Sequence, residues 1–168
     1  MRDLLKDMVG CDPWKMKYQR LLCAIVGSVL AFGVSAAAQD KGMWRAESST
    51  AQSITGDIAI SDEKLTINFT GFVIAQIRRL EPGEVSAVFD ADSGAGGSGN
   101  LYRLNIPAAK KFAHRNTLCG TEDTQWMATY VVGRTLKLAF FSGPKPPEFT
   151  LNAIANSTEL CGTFSYVR

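Results

Sequence analysis

The sequence predicts an all-β fold: a small antiparallel β-barrel or β-sandwich with one short helix, preceded by an N-terminal signal-peptide helix. Three observations predict it. Short segments of alternating polarity recur along the chain, with turn residues about every 8 to 12 positions, as in sandwiches and barrels. Residues 126–132 and 135–141 are rich in β-branched and aromatic residues, and only Gly133 and Arg134 separate them. Gly at the first central position suits a type II′ hairpin turn, where positive φ carries little steric cost for Gly. Within 135–141, Leu136, Leu138 and Phe140 share one face and Thr135, Lys137 and Ala139 the other, the pattern of a half-buried strand. Finally, Cys119 and Cys161 are the two of four cysteines that lie outside the leader, an even pair that reads as a disulfide in an exported chain.

The leader comes first. Residues 21–34 (LLCAIVGSVLAFGV) form an apolar run, and Ala36 and Ala38 give the A-x-A pattern of signal-peptidase cleavage, so cleavage is expected after Ala38. Asp3, Asp7 and Asp12 are out of place in a basic n-region, whereas Met16 followed by Lys17 and Arg20 opens a normal one, so translation could begin at Met16. An uncleaved anchor is the alternative, but the run is short for a membrane span. Leu22 before Cys23 is too large for a lipoprotein signal. Residues 39–168 are then one domain, periplasmic or secreted, with no stable membrane insertion after cleavage.

Cleavage also changes the charge. Of the 18 basic and 16 acidic residues, five and three fall in residues 1–38, so the remainder carries 13 of each and is neutral. No overall basic field is left to attract nucleic acid or an anionic membrane.

Along the remaining chain, Ile54, Ile58 and Ile60 share a face, and Leu65, Ile67 and Phe69 alternate with Lys64, Thr66 and Asn68; Ser61-Asp62-Glu63 between them reads as a hairpin turn. Residues 72–77 are apolar on both faces, residues 85–89 read as a further short strand, and residues 90–100 (DADSGAGGSGN) as a mobile loop. Tyr102, Leu104 and Ile106 alternate until Pro107, which ends the strand or opens a short helix over residues 108–114. Residues 149–154 and 163–167 close the chain as strands, for around nine in all.

Motifs that carry chemistry are few. Gly94, Gly96 and Gly99 spell GxGxxG, but an alternating strand follows where a nucleotide site needs a helix. Asp90 and Asp92 begin like a calcium loop, yet Gly94 takes the third ligand position and no Glu closes it. Two Cys and one His after the leader do not make a zinc site. No cofactor or metal is expected. His114 is the sole histidine, so any His-based hydrolysis must use it, with Glu122 or Asp123 as the acid. Flanked by Lys110, Lys111 and Arg115, it also reads as part of a basic surface segment. Pro144 and Pro147 form a PxxP that a Pro-rich loop equally explains. Asn68-Phe69-Thr70 and Asn156-Ser157-Thr158 are sequons that matter only in a glycosylating host.

One stretch, Ser98-Gly99-Asn100-Leu101-Tyr102, has the form SGxxY at the end of a flexible loop. With export, small size and one disulfide, it resembles the periplasmic and membrane-bound inhibitors of c-type lysozyme. That resemblance implies an eight-stranded antiparallel barrel whose loop serine enters the lysozyme cleft. Here the serine would be Ser98, with Gly99 and Tyr102 as its framework. The family's second motif, a Tyr followed by Lys-Gly, is absent; Tyr130-Val131-Val132-Gly133-Arg134 stands nearest to it, and Lys110 or Lys111 would have to supply the charge. The expected function is a non-enzymatic exported binding protein that inhibits or regulates a peptidoglycan hydrolase. A barrel holding a small apolar ligand or envelope component is the alternative, and an envelope hydrolase using His114 the third.

Overall fold

In the computed structural model, which describes residues 39–92, 94 and 96–168, eight antiparallel strands follow one another around a closed barrel. They are β1 (Gly42–Ala46), β2 (Ile58–Ile60), β3 (Lys64–Ile67), β4 (Thr70–Leu80), β5 (Ser98–Ile106), β6 (Thr124–Val132), β7 (Thr135–Phe141) and β8 (Leu160–Val167). Closure is made by β1 on β8, with Arg45 opposite Val167 and Ala46 opposite Tyr166. The predicted leader, Cys11 and Cys23 lie outside the described residues.

Hairpins set the order. Val132 and Thr135 are partners across Gly133, whose φ of 57° fits the type II′ turn. Ile60 pairs with Leu65 around the 61–63 turn. The turn between β3 and β4 corrects the sequence reading: Asn68 and Phe69 both have positive φ, 46° and 63°, so they make a tight turn and Phe69 is fully exposed at its tip.

Four further corrections concern local structure. Residues 85–89 belong to a helix, α2 (Pro82–Phe89); α1 (Ser49–Ile54) absorbs Ile54; and α3 (Leu151–Ala155) replaces most of the strand expected at 149–154. Each has an end signal. Pro82 sits in the first turn of α2, where its missing N–H costs nothing, and Glu84 accepts the Glu81 N–H at 2.9 Å. Ser48 Oγ accepts from Ala51 N, and Thr150 Oγ1 from Ala153 N, both at 3.1 Å. The helix expected over 108–114 is instead irregular chain ending in a 3₁₀ turn, Ala113–Arg115, in which His114 and Arg115 have positive φ.

Alternation along the strands splits the core in two. Inside the barrel lie Trp44, Ile58, Leu65, Ile74, Tyr102, Met127, Leu138, Phe140, Phe164 and Tyr166. Outside it, Leu101, Trp126, Ala128, Tyr130, Ala139 and Phe141 form a second apolar layer with Val85, Val88 and Phe89 of α2 and with Phe149. The Phe141 and Phe149 rings meet edge to face at 5.8 Å.

Two fastenings complete the domain. Cys119 and Cys161 are disulfide-bonded across 42 positions, a loop closure that stabilises by about 4 kcal/mol on chain entropy. At the opposite end, Asp40 is buried, and its Oδ2 accepts from Asn100 Nδ2 at 2.9 Å, Tyr102 Oη at 2.8 Å and Thr129 Oγ1 at 2.9 Å. Arg168 donates to the Gln39 and Lys41 carbonyls and lies over the Trp44 ring at 4.4 Å. Both chain ends of residues 39–168 are thereby tied into one closed barrel.

Candidate functional site

Ser98 opens β5 at the end of the barrel that Asp40 seals, opposite Val131, and Gly99 follows opposite Tyr130. The loop leading to it is shaped from both sides. Asp90 ends α2 with φ 47°, Lys137 Nζ donates to the Phe89 carbonyl at 3.1 Å, and the Asp92 carboxylate accepts from Gly94 N at 2.8 Å. The expected loop is therefore shorter than 90–100, because Ser98, Gly99 and Asn100 are already strand.

Two glycines, Gly97 before β5 and Gly99 within it, are required by packing. A Cβ on Gly99 would stand 2.8 Å from Val85 Cγ2 and 3.0 Å from the Thr129 carbonyl oxygen. One on Gly97 would stand 2.3 Å from the Tyr130 ring. Their missing side chains let α2 and Tyr130 lie against the backbone. Gly96 has a φ of 70° and open space where a Cβ would stand.

Between this loop and α2 lies a cavity of about 320 Å³ lined by Arg79, Pro82, Asp92, Gly97, Ser98 and Tyr130, among others. Tyr130 is buried and stacks on Phe89 at 5.9 Å, so this part of the lining is rigid. Arg79 is exposed, and among the described residues no carboxylate lies within ion-pair distance of it. The β4–β5 register puts it there: Arg79 is opposite Asn100, beyond a bulge between Gln76 and Arg78.

The other residues singled out in the sequence lie elsewhere. Tyr102 is inside the barrel, 1% exposed, and burial pushes its phenol well above the usual range, with the hydrogen bond to Asp40 acting the same way. It supports β5 from within and offers no surface. Lys110 and Lys111 follow the far end of β5, and the eight steps from Ser98 to Ile106 span about 27 Å. Lys110 Nζ donates to Thr70 Oγ1 at 3.0 Å. The structure thus separates the two lysines from Ser98 and brings Arg79 to it instead.

The remaining readings meet a similar geometry. His114 is exposed; of its two expected acid partners, Glu122 is exposed and Asp123 accepts the Ala108 N–H at 2.8 Å. Among the described residues no group of three His, Cys, Asp or Glu could hold a metal ion. Aromatic and aliphatic side chains fill the barrel interior, where a small apolar ligand would have to sit. Comparison with known proteins finds no match among family models, curated proteins or solved structures.

Proposed function

We propose that residues 39–168 form an exported, non-enzymatic binding protein whose glycine-rich rim enters the cleft of a peptidoglycan hydrolase of the muramidase type and inhibits or regulates it. The observation that carries this reading is the exposed guanidinium of Arg79, which lines the rim cavity together with Ser98 and, among the described residues, has no carboxylate within ion-pair distance. Glycosidase clefts are lined by catalytic carboxylates, and a guanidinium with a neighbouring hydroxyl can make charge-assisted hydrogen bonds to them. The geometry lowers the cost of such a contact. With Phe89 held by Lys137 and Ser98 already in β5, both ends of the connection are fixed before binding. The disulfide agrees with an oxidising compartment, as the A-x-A leader expects.

A panel of purified muramidases, assayed for lysis and by calorimetry against residues 39–168, tests the reading. Slowed lysis is expected for at least one enzyme. Arg79→Ala should weaken binding by about ten- to a hundredfold, the loss of a charge-assisted hydrogen bond. If no muramidase is bound or slowed, or if Arg79→Ala and Ser98→Ala change nothing, the proposal falls.

A further inference from the structure

The outer face of β4 carries a line of exposed apolar side chains that the rim site does not use. Val73 is 77% exposed and Ile77 52%, with Ala75 exposed between them, and Phe69 at the β3–β4 tip is 100% exposed. Phe69 is the informative one. It occupies the second central position of a turn in which both residues have positive φ, where Gly is favoured and an aromatic side chain is disfavoured. Nothing in the barrel packs on it, so the fold gains nothing from a phenylalanine there.

Cations surround this line. Lys64 lies across β4, its Cδ 2.9 Å from where a Cβ on Gly71 would be, opposite Val73. Lys110 is held at the hairpin by Thr70, and exposed Lys111 follows. The Phe72 and Phe112 rings, 6.1 Å apart, fasten that lysine-bearing segment to the hairpin. The acid beside the tip by register is Asp57, and its carboxylate accepts the Ala46 N–H. Glu63 lies away from the tip but beside the wall, its carbonyl accepting the Ile74 N–H, so the cationic character is greatest at the tip end.

From this arrangement we infer that the Phe69 tip and the β4 wall form a peripheral docking surface for an anionic lipid layer. Phe69 enters the interfacial region, Val73 and Ile77 lie along it, and Lys64, Lys110 and Lys111 meet the anionic headgroups. One apolar side chain binds membranes only marginally, and combining it with a basic cluster gives useful affinity. A second copy of this chain fits less well. A twofold pairing of these walls would bring each lysine toward its own copy. No described helix is long and apolar enough to cross a membrane.

Sedimentation of residues 39–168, shown above to close on themselves, with vesicles tests the inference. Vesicles containing phosphatidylglycerol should carry the protein down, pure phosphatidylcholine vesicles should carry about tenfold less, and raised salt should release it. Phe69→Gly, which suits the turn, should cut the partition coefficient by about tenfold without lowering the melting temperature, and Lys111→Glu should reduce binding only to the anionic vesicles. No binding to anionic vesicles, or binding indifferent to Phe69→Gly, would overturn it. So would a wild-type dimer that Phe69→Gly makes monomeric, since the wall would then join two proteins. Muramidase inhibition should be unchanged in Phe69→Gly, so either proposal can fail alone.

Discussion

The outer wall of β5–β7 and the outer wall of β3–β4 come from strands of the same barrel, yet they end in opposite environments. On the first, Leu101, Trp126, Ala128, Tyr130, Ala139 and Phe141 are buried beneath α2 and Phe149. On the second, Val73 and Ile77 stand in solvent with Lys64 among them. An apolar residue on the outside of a strand therefore has two meanings here. Where a helix covers it, it is a second core that holds the barrel together. Where no described residue covers it, it contributes little to stability and is open to a partner. The rim cavity lies on the covered side, beside α2, where Val85 and the buried Tyr130 line it with Ser98.

The largest expected effect tests the covered wall. Phe141→Ala removes a fully buried ring and its contact with Phe149, and should destabilise by about 3–5 kcal/mol in urea denaturation. A change under about 1 kcal/mol would show that the outer layer is not a core. Gly99→Ala should come next, at about 1–3 kcal/mol, because a methyl group there meets Val85 and the Thr129 carbonyl, and the backbone oxygen cannot easily give way.

Smaller effects lie at the seam between the walls. Arg78 grips Glu84 of α2 with two hydrogen bonds, of 2.6 and 2.7 Å, and the guanidinium holds the Glu84 carboxyl below its ordinary range. A lowered folded-state pKa gives stability that is present above the unfolded value of 4.5 and is lost as pH falls through the folded one. Because the pair is partly exposed, Glu84→Gln should cost only about 0.5 kcal/mol at pH 7, and its stability should converge with the wild type in acid. The alkaline limb has the opposite sign. Burial raises the Tyr102 and Tyr166 phenols, so their contribution is complete below pH 10 and declines above it, and absorbance titration should show both ionising only with unfolding. Smallest of all, Val73→Thr on the bare wall should stay within about 0.5 kcal/mol of wild type. A larger loss would mean that this wall is also structural.

How far the sequence reaches follows the same division. The β6–β7 hairpin is legible because alternation and a Gly-first turn agree. The class of fold follows from repeating that pattern. Residues 85–89 mislead because five residues of mixed polarity fit either period, and the helix is decided by Pro82 and Glu84 at its start, outside the apolar segment. Phe69 misleads because alternation continues through it, while the chain turns on Asn68. β1 is too short to declare itself, and Asp40 becomes structural only when Asn100, Tyr102 and Thr129 converge on it from distant strands. At the rim, Ser98 and Gly99 are visible in the sequence. Arg79 is not, because its place beside Ser98 depends on the β4–β5 register and on the bulge that shifts it. The lysines sought for that role sit a full strand length away.

Amide hydrogen exchange on residues 39–168, alone and with a muramidase that it slows, tests most directly the claim that a covered, rigid wall supports a recognition rim. The account predicts the slowest exchange in β5–β7 of the free protein, and partner-induced protection confined to residues 79–99. Protection appearing instead around residues 107–115 or along β3 and β4, with the rim unchanged, would contradict it.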